Sequence, residues 1–519
     1  MTSAAQEHRE VENLPLLVIS VMLATLMQVV DMTIANVALP HMQGSLSATQ
    51  DQVSWVLTSY IVAAAIATPA TGWLTSTFGR KNVLLVGILG FTFASVLCAM
   101  SNSITEMVAF RVLQGLFGAS LSPISQSSLL DSFPREKHGA AMAMWGMGIM
   151  VGPILGPPLG GWLTENYSWH WVFLINVPVG ILAFLGAMAS MPADERRESR
   201  FDWRGFVFLT VGIAALQLLL DRGNQKDWFG SVEIQVELAL AFLGFYLYWV
   251  HWRDKRNPFV ELGLLRDRNF ASAVIFMFTV GIVLLATVAL LPPYMQTLMN
   301  YPVITTGLLM APRGVGTLIA MTLVGRLMAR GFDPRAMVAL GVLLTAYSLW
   351  MMSGFNADVP AWPIINSGMV QGFGLGLIFV PVSTMAYTTL PMAARTEAAS
   401  IYNLVRNIGS SVGISIVFTL VARNTQINHA EIAARVTEFG SVALPANIHT
   451  SAGLAALNGE VTRQAAAIAY INDFWMMMWL MLATLPLILL FRLPKRNRTL
   501  VAAKQDDPLL EHAENIPDH

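Results

Sequence analysis

The chain is poor in the residues that most soluble functions require. One cysteine, Cys98, stands among 519 residues, which rules out an internal disulfide and a thiolate metal cluster; in its apolar stretch it reads as a packing residue. Only 12% of the residues are charged and the formal net charge is -1. That leaves no basic domain to neutralise phosphates and argues against nucleic acid as a partner. There is no P-loop, no His-x-x-x-His metal pair and no Gly-x-Ser-x-Gly elbow on a strand, so neither an enzyme nor a nucleotide-driven machine is expected. The opening MTSAAQEHREVEN lacks a basic n-region and a small-residue cleavage site, and no cleaved signal peptide is expected. No cofactor is implied; energy must come from an ion gradient or a partner.

Apolar residues are abundant instead. They make up 55% of the chain, and the mean hydropathy is positive, which is the composition of a bundle of membrane-crossing helices of ~20 residues each. Six such segments fall at 14–39, 52–74, 82–101, 104–130, 138–163 and 171–191, two more at 205–221 and 233–252, and six at 270–298, 304–328, 336–354, 361–390, 397–422 and 472–492. The expected fold is an all-α polytopic membrane protein. Its divisions are a tail 1–13, a six-helix bundle 14–191, two extra spans with basic linkers over 192–268, a second six-helix bundle 269–493 and a tail 494–519. Of the 31 Lys and Arg, 23 lie on the side of the two tails, five on the other side, and three (Arg111, Arg313, Arg406) within spans, so both termini are expected in the cytoplasm. One long segment on the opposite side, 424–471, has apolar residues at helical spacing and reads as short helices, serving either as a lid or as a docking surface for a partner.

Weak internal symmetry links the halves, as in transporters built from repeats. QGLFGASLSPIS from Gln114 matches QGFGLGLIFVPVS from Gln371, and GWLTSTFGRK from Gly72 matches GRLMARGFDPR from Gly325.

Asp31, in LATLMQVVDMTIANVALP, reads as the one acid well inside hydrocarbon. A carboxylate there must be paired, wet or protonated, and a group whose protonation follows its surroundings suits ion coupling. Arg111 is its natural counter-charge. Arg313 and Arg406 are suited either to an anionic substrate or to carbonyls left free beside glycine. Gln28, Asn36, Gln114, Gln126, Gln371 and Asn403, with Arg406, are candidates to line a substrate cavity, since an amide facing lipid would go unsatisfied; hydrogen bonding between helices is the other use of these amides. In GMGIMVGPILGPPLGG, Gly148, Gly152, Gly156 and Gly160 are four apart and form one helix face for close packing, while Pro153 and its neighbours remove backbone donors and invite a bend.

The runs DMTIANVALP at Asp31, RVLQGLFGA at Arg111, GPILGPPLGG at Gly152, WHWVFLINVPVG at Trp169, LDRG at Leu220 and RNIGSSVG at Arg406 resemble the major facilitator superfamily, in its fourteen-span drug:proton antiporter branch. The resemblance implies two six-helix bundles plus two central helices, a proton site at Asp31 modulated by Arg111, an antiport gate through Gly148, Gly152, Pro153, Gly156 and Gly160, and a cytoplasmic loop motif at Gly72, Gly79, Arg80 and Lys81. Ser76 stands where that loop usually carries an aspartate, which puts its charge lock in question. It further implies export of lipophilic drugs or toxic small molecules across a bacterial inner membrane, with a periplasmic adaptor and an outer-membrane channel as partners. A proton-coupled nutrient symporter or a non-transporting receptor are the competing readings.

Overall fold

A computed structural model describes residues 13–134, 137–192, 200–255, 258–436 and 450–492; the two tails and parts of the 192–268 linkers and of the 424–471 segment lie outside the described residues. Among the described residues seventeen α-helices follow one another and there is no strand. The first half comprises α1 (Leu14–Ser45), α2 (Gln50–Ala67), α3 (Ala70–Phe78), α4 (Arg80–Ala99), α5 (Ile104–Gly118), α6 (Leu121–Ser132), α7 (His138–Asn166), α8 (Trp171–Leu174) and α9 (Asn176–Ser190). Then come α10 (Trp203–Arg222) and α11 (Val232–Asp254), followed by α12 (Arg268–Pro293), α13 (Val303–Ala329), α14 (Pro334–Ser353), α15 (Ala361–Thr388), α16 (Arg395–Arg435) and α17 (Ser451–Leu482). Among the described residues twelve helices are long and apolar enough to cross a membrane, and α2 with α3, bent by 56°, makes a thirteenth. Where the remaining span is expected lies α7, a helix of 29 residues that runs on through its prolines and is not one of these thirteen.

Breaks in the spans follow the chemistry of the backbone. Span two bends where Pro69, at the N-cap of α3, brings no N–H. Helix starts are capped by side-chain oxygens: Thr49 and Gln52 form a capping box on α2, Ser103 caps α5, and Asp267 and Asp333 cap α12 and α14. The α3–α4 and α13–α14 turns hold the two glycines with positive φ among the described residues, Gly79 (83°) and Gly331 (84°), a conformation that side chains resist. These are the two turns that the sequence aligned, so the repeat is visible in the backbone.

In the first half α1 packs against α7, α9 and α6, and α5 against α2 and α4. In the second, α12 packs on α16 and α15, α13 on α15, and α14 on α15 and α17. The halves meet where α7 lies along α13, α6 along α16, and α3 against α16. The α10–α11 hairpin leans on both α2 and α16. Its end is fixed by Asp202, which caps α10 and accepts from Lys255 (2.7 Å), His251 (2.9 Å) and the Phe259 N–H (3.1 Å). Burial pushes the Asp202 carboxyl up, but Lys255, His251 and the Gly205 N–H outweigh it and hold the group below the usual carboxylate range. Large apolar side chains such as Phe93, Leu182, Phe242 and Trp362 are exposed on the outer surface, as a lipid-facing surface requires.

Two expectations change. The 424–471 segment is not a set of separate short helices: α16 continues unbroken to Arg435, 41 residues in all, and α17 begins at Ser451. The run NTQINHAEIAAR after Arg423 contains neither glycine nor proline, so nothing stops the span. Asp31 is also not the sole enclosed acid, since Glu237 on α11 and Asp473 on α17 are buried inside helices of the membrane-crossing kind.

The glycine seam of α7 sets how close α1 can come. A Cβ at Gly152 would meet Val29 Cγ1 at 2.5 Å and the Val29 carbonyl carbon at 3.0 Å, one at Gly156 would meet Thr33 Oγ1 at 2.1 Å, and one at Gly160 would meet the Ile34 carbonyl oxygen at 3.0 Å. The Thr33 hydroxyl donates to the Gly152 carbonyl at 3.1 Å. Gly152→Ala should therefore lower stability by about 1–3 kcal/mol through overpacking. Thermal unfolding of the purified variant in detergent checks this, and an unchanged midpoint would mean that the seam can yield.

Candidate functional site

Asp31 and Arg111 meet in the first half, both with fully enclosed side chains, Arg111 Nη1 donating to Asp31 Oδ2 at 2.6 Å. Gln114 Nε2 and Asn176 Nδ2 donate to the other carboxylate oxygen at 2.9 and 2.8 Å. The Ser95 hydroxyl accepts from both amides at 2.8 and 3.2 Å. Arg111 is held in turn: its Nε donates to the Val56 carbonyl at 2.8 Å and its Nη1 also to Gln114 Oε1 at 2.7 Å. Its guanidinium lies 4.5 Å from the Tyr60 ring centroid and 5.5 Å from that of Phe173, a cation–π setting. Six helices, α1, α2, α4, α5, α8 and α9, thus converge on one carboxylate. The position of Asp31 one turn from the glycine seam, between Val29 and Thr33, places the acid on a helix that α7 touches directly.

A second polar cluster closes one end of the molecule, the end carrying the Gly79 and Gly331 turns. Asp131 at the end of α6 accepts from Arg80 at 2.5 Å and, across the two halves, from Arg395 at 2.7 Å. Deeper in, Asn403 Nδ2 donates to Gln126 Oε1 at 2.9 Å, and Thr396 donates to Ser127 at 3.1 Å. Trp145 stacks on Phe379 with ring centroids 5.7 Å apart. Ser76 turns its hydroxyl back to the Trp73 carbonyl at 2.9 Å, while Gly72 lies under Glu397 of α16, whose Cβ is 3.1 Å from where a Gly72 Cβ would stand. The acidic group at this contact is thus carried in the first turn of α16, where the helix dipole favours it, and its carboxylate accepts from the Glu261 N–H at 2.6 Å. Lys81 is half-buried.

The remaining candidates separate. Gln28 is buried on α1, and Asn36, on the same helix, is exposed rather than enclosed with the other amides. Gln114 belongs to the Asp31 cluster, and Gln126 and Asn403 pair with each other between halves. Gln371 Nε2 donates to Thr287 at 3.2 Å. Arg406 reaches Asn407 at 3.4 Å and leaves Nη1 without a partner. The seam glycines Gly148, Gly152, Gly156 and Gly160 all face α1, while the Pro153 side chain lies outside the described residues.

The family model of the Major Facilitator Superfamily matches residues 21–414. The chain belongs to the major facilitator superfamily. It is 33% identical over 506 residues to the multidrug export protein EmrB of Escherichia coli K12, covering 93% of this chain and 96% of that one. To the probable multidrug resistance protein EmrY of the same organism it is 33% identical over 461 residues, with 87% and 90% covered. The crystal structure of the human organic anion transporter MFSD10 (TETRAN) matches with a TM-score of 0.58 at 14% identity, over 90% of this chain and 99% of that one, a likeness of fold. As a major facilitator protein with many apolar spans, this chain is a multi-pass membrane transport protein.

Sequence reasoning missed several members of these clusters. Asn176 lies inside the WHWVFLINVPVG run, which was the available signal; Ser95 gave none. Asp131 was visible as an acid at the end of a span, but its partner Arg395 lies 264 residues away. Asp473 sits at the margin of an apolar segment, and its Oδ2 is buried without a hydrogen-bond partner.

The enclosed pair predicts a clear asymmetry among substitutions. Arg111→Leu leaves a buried carboxylate uncompensated and should cost about 3–5 kcal/mol, whereas Asp31→Asn with Arg111→Leu removes both charges and should lose much less. Thermal unfolding of purified Asp31→Asn, Arg111→Leu and the double variant measures this, and simple additivity would show that the pair does not couple.

Proposed function

We propose that this protein is a proton-coupled antiporter that exports lipophilic drugs or toxic small molecules across the inner membrane by alternating access. The observation that carries the reading is the enclosed Asp31 carboxylate, bonded to Arg111, Gln114 and Asn176 and placed on the helix that the α7 glycine seam grips. Loading a proton on Asp31 removes its charge and frees Arg111, Gln114 and Asn176 to reorganise, and any shift of α1 is passed to α7 because the two have no slack between them. α7 also lies along α13 of the other half, so a proton event in one bundle has a mechanical route to the seam between bundles. Opening the end closed by Asp131 must part it from Arg395 and separate Gln126 from Asn403. The multidrug export and resistance names of the EmrB and EmrY relatives support the export direction and the substrate class.

The distribution of Lys and Arg supports placing the Asp131 end, and both termini, in the cytoplasm. On that orientation α16 and α17 project into the periplasm. α16 alone is about 60 Å long at the α-helical rise, against a hydrocarbon core of ~30 Å. A helical projection of this size is suited to hold a periplasmic adaptor that connects to an outer-membrane channel.

Proteoliposomes with a preset pH gradient test the transport reading. Addition of a lipophilic drug should release protons with the native protein and not with Asp31→Asn; equal release from both removes Asp31 from the mechanism. Shortening the projection by deleting residues 428–467 should spare drug transport in vesicles and abolish efflux from whole cells. Loss in both assays alike would make the projection a lid that transport itself needs.

A further inference from the structure

The second half carries a copy of the Asp31 cluster from which the acid has been removed. Gln114 and Gln371 open the matching runs of the repeat, and each donates its amide to the first helix of its half: Gln114 to Asp31 on α1, Gln371 to the Thr287 hydroxyl on α12. Thr287 therefore holds the place of Asp31. Three residues before the glutamine, the first half has Arg111 and the second has Gly368. The cation is nevertheless present in the second half, because Arg313 of α13 fills the space over that glycine, its Cβ lying 3.7 Å from where a Gly368 Cβ would stand. Arg313 Nη2 donates to the carbonyl of Leu284 at 3.3 Å, one turn from Thr287 on the same helix.

The two clusters differ in charge. Arg111 is neutralised by Asp31, whereas Arg313, 7% exposed, pairs with no carboxylate among the described residues; each guanidinium leaves one terminal nitrogen buried without a partner, Nη2 of Arg111 and Nη1 of Arg313. Gln371 Oε1 is likewise buried and unpartnered, so the bond that Arg111 makes to Gln114 has no counterpart here. A lone guanidinium inside a membrane bundle is costly, and the donors it leaves free are those that bind carboxylates most strongly.

We propose that Arg313, Gln371 and Thr287 form a binding site for the anionic headgroup of a lipophilic substrate, a carboxylate or phenolate that occupies in the second half the position Asp31 occupies in the first. The ligand supplies the missing charge, and a half-turn of the Gln371 amide presents its N–H group to it. The proposal rests on the export reading and narrows its substrates to molecules with an apolar body and one negative charge.

Binding of a radiolabelled saturated fatty acid and of the alcohol with the same chain to the purified full-length protein tests it. The native protein should prefer the carboxylate by about tenfold or more, the range of a hydrogen-bonded charge pair. Arg313→Gln should abolish that preference and leave the alcohol bound as before, and Arg313→Lys should keep part of it. Thr287→Asp should abolish it as well, because it places an internal carboxylate beside Arg313 as in the first half. If Arg313→Gln loses the alcohol too, it has misfolded and Thr287→Asp alone decides. A carboxylate preference that survives in these variants overturns the proposal, as does displacement of the fatty acid by millimolar chloride, which would make the occupant an inorganic ion. The parent reading is judged separately in the proteoliposome assay: drug-driven proton release by a native protein that shows no carboxylate preference leaves export standing and removes only the anion site.

Discussion

An ion pair enclosed in a medium without water persists only where hydrogen bonds from its surroundings offset the lost hydration, and the first half of this protein is arranged around that requirement. Asp31 accepts three side-chain hydrogen bonds from Arg111, Gln114 and Asn176, and the amides are anchored on Ser95. The partners and their anchor come from α4, α5 and α9, so the pair fixes the positions of these helices and α1 relative to one another. The same arrangement that makes the charge tolerable makes it a sensitive point: changing the protonation of one carboxylate alters the bonding of several helices at once.

Between the halves the contacts are of another kind. Along α7 and α13 small residues meet methionines, with Gly139 beside Met328 and Gly146 beside Met321, a pairing of smooth surface with a flexible side chain that can slide. At the Asp131 end the contacts are polar and specific, with one carboxylate shared between Arg80 and Arg395. Sliding surfaces along the length and a charge clasp at one end are what two bundles need if they are to rock and still return to one closed arrangement. Ser76 turns its hydroxyl to its own helix, and the acid present at the α3–α16 contact is Glu397.

How far the sequence could be read depended on whether the controlling interaction was local. Span positions follow from hydropathy, the Gly79 and Gly331 turns from glycine in matching runs, and the pairing of Asp31 with Arg111 from the cost of leaving either charge alone. The glycine seam was legible as a face but not in its partner, since nothing along α7 names α1. Long-range polar contacts such as Arg395 with Asp131 and Asn403 with Gln126 were invisible as pairs, although Gln126 and Asn403 stood out singly. Asn36 shows the limit of the amide rule: toward the end of a helix an amide can reach the surface instead of a cavity. Where the first half has Arg111 the matching position of the repeat is Gly368, and only the packing of α13 shows Arg313 lying over it from a neighbouring helix.

The α10–α11 hairpin has a bearing on how molecules get in and out. α10 is tied to α2 by Asp221 and the Thr58 hydroxyl, and to α16 by Gln217 with Ser411 at 2.6 Å and by Trp228 of its connecting loop with Thr419 at 3.0 Å. It therefore bridges the cleft between the bundles on one flank and walls it off from the acyl chains. On that flank the hairpin, held to α2 and α16, fills the space beside the meeting of the two bundles, while on the opposite flank α7 lies directly along α13. The two added helices thus give an otherwise two-fold barrel of spans a back and a front.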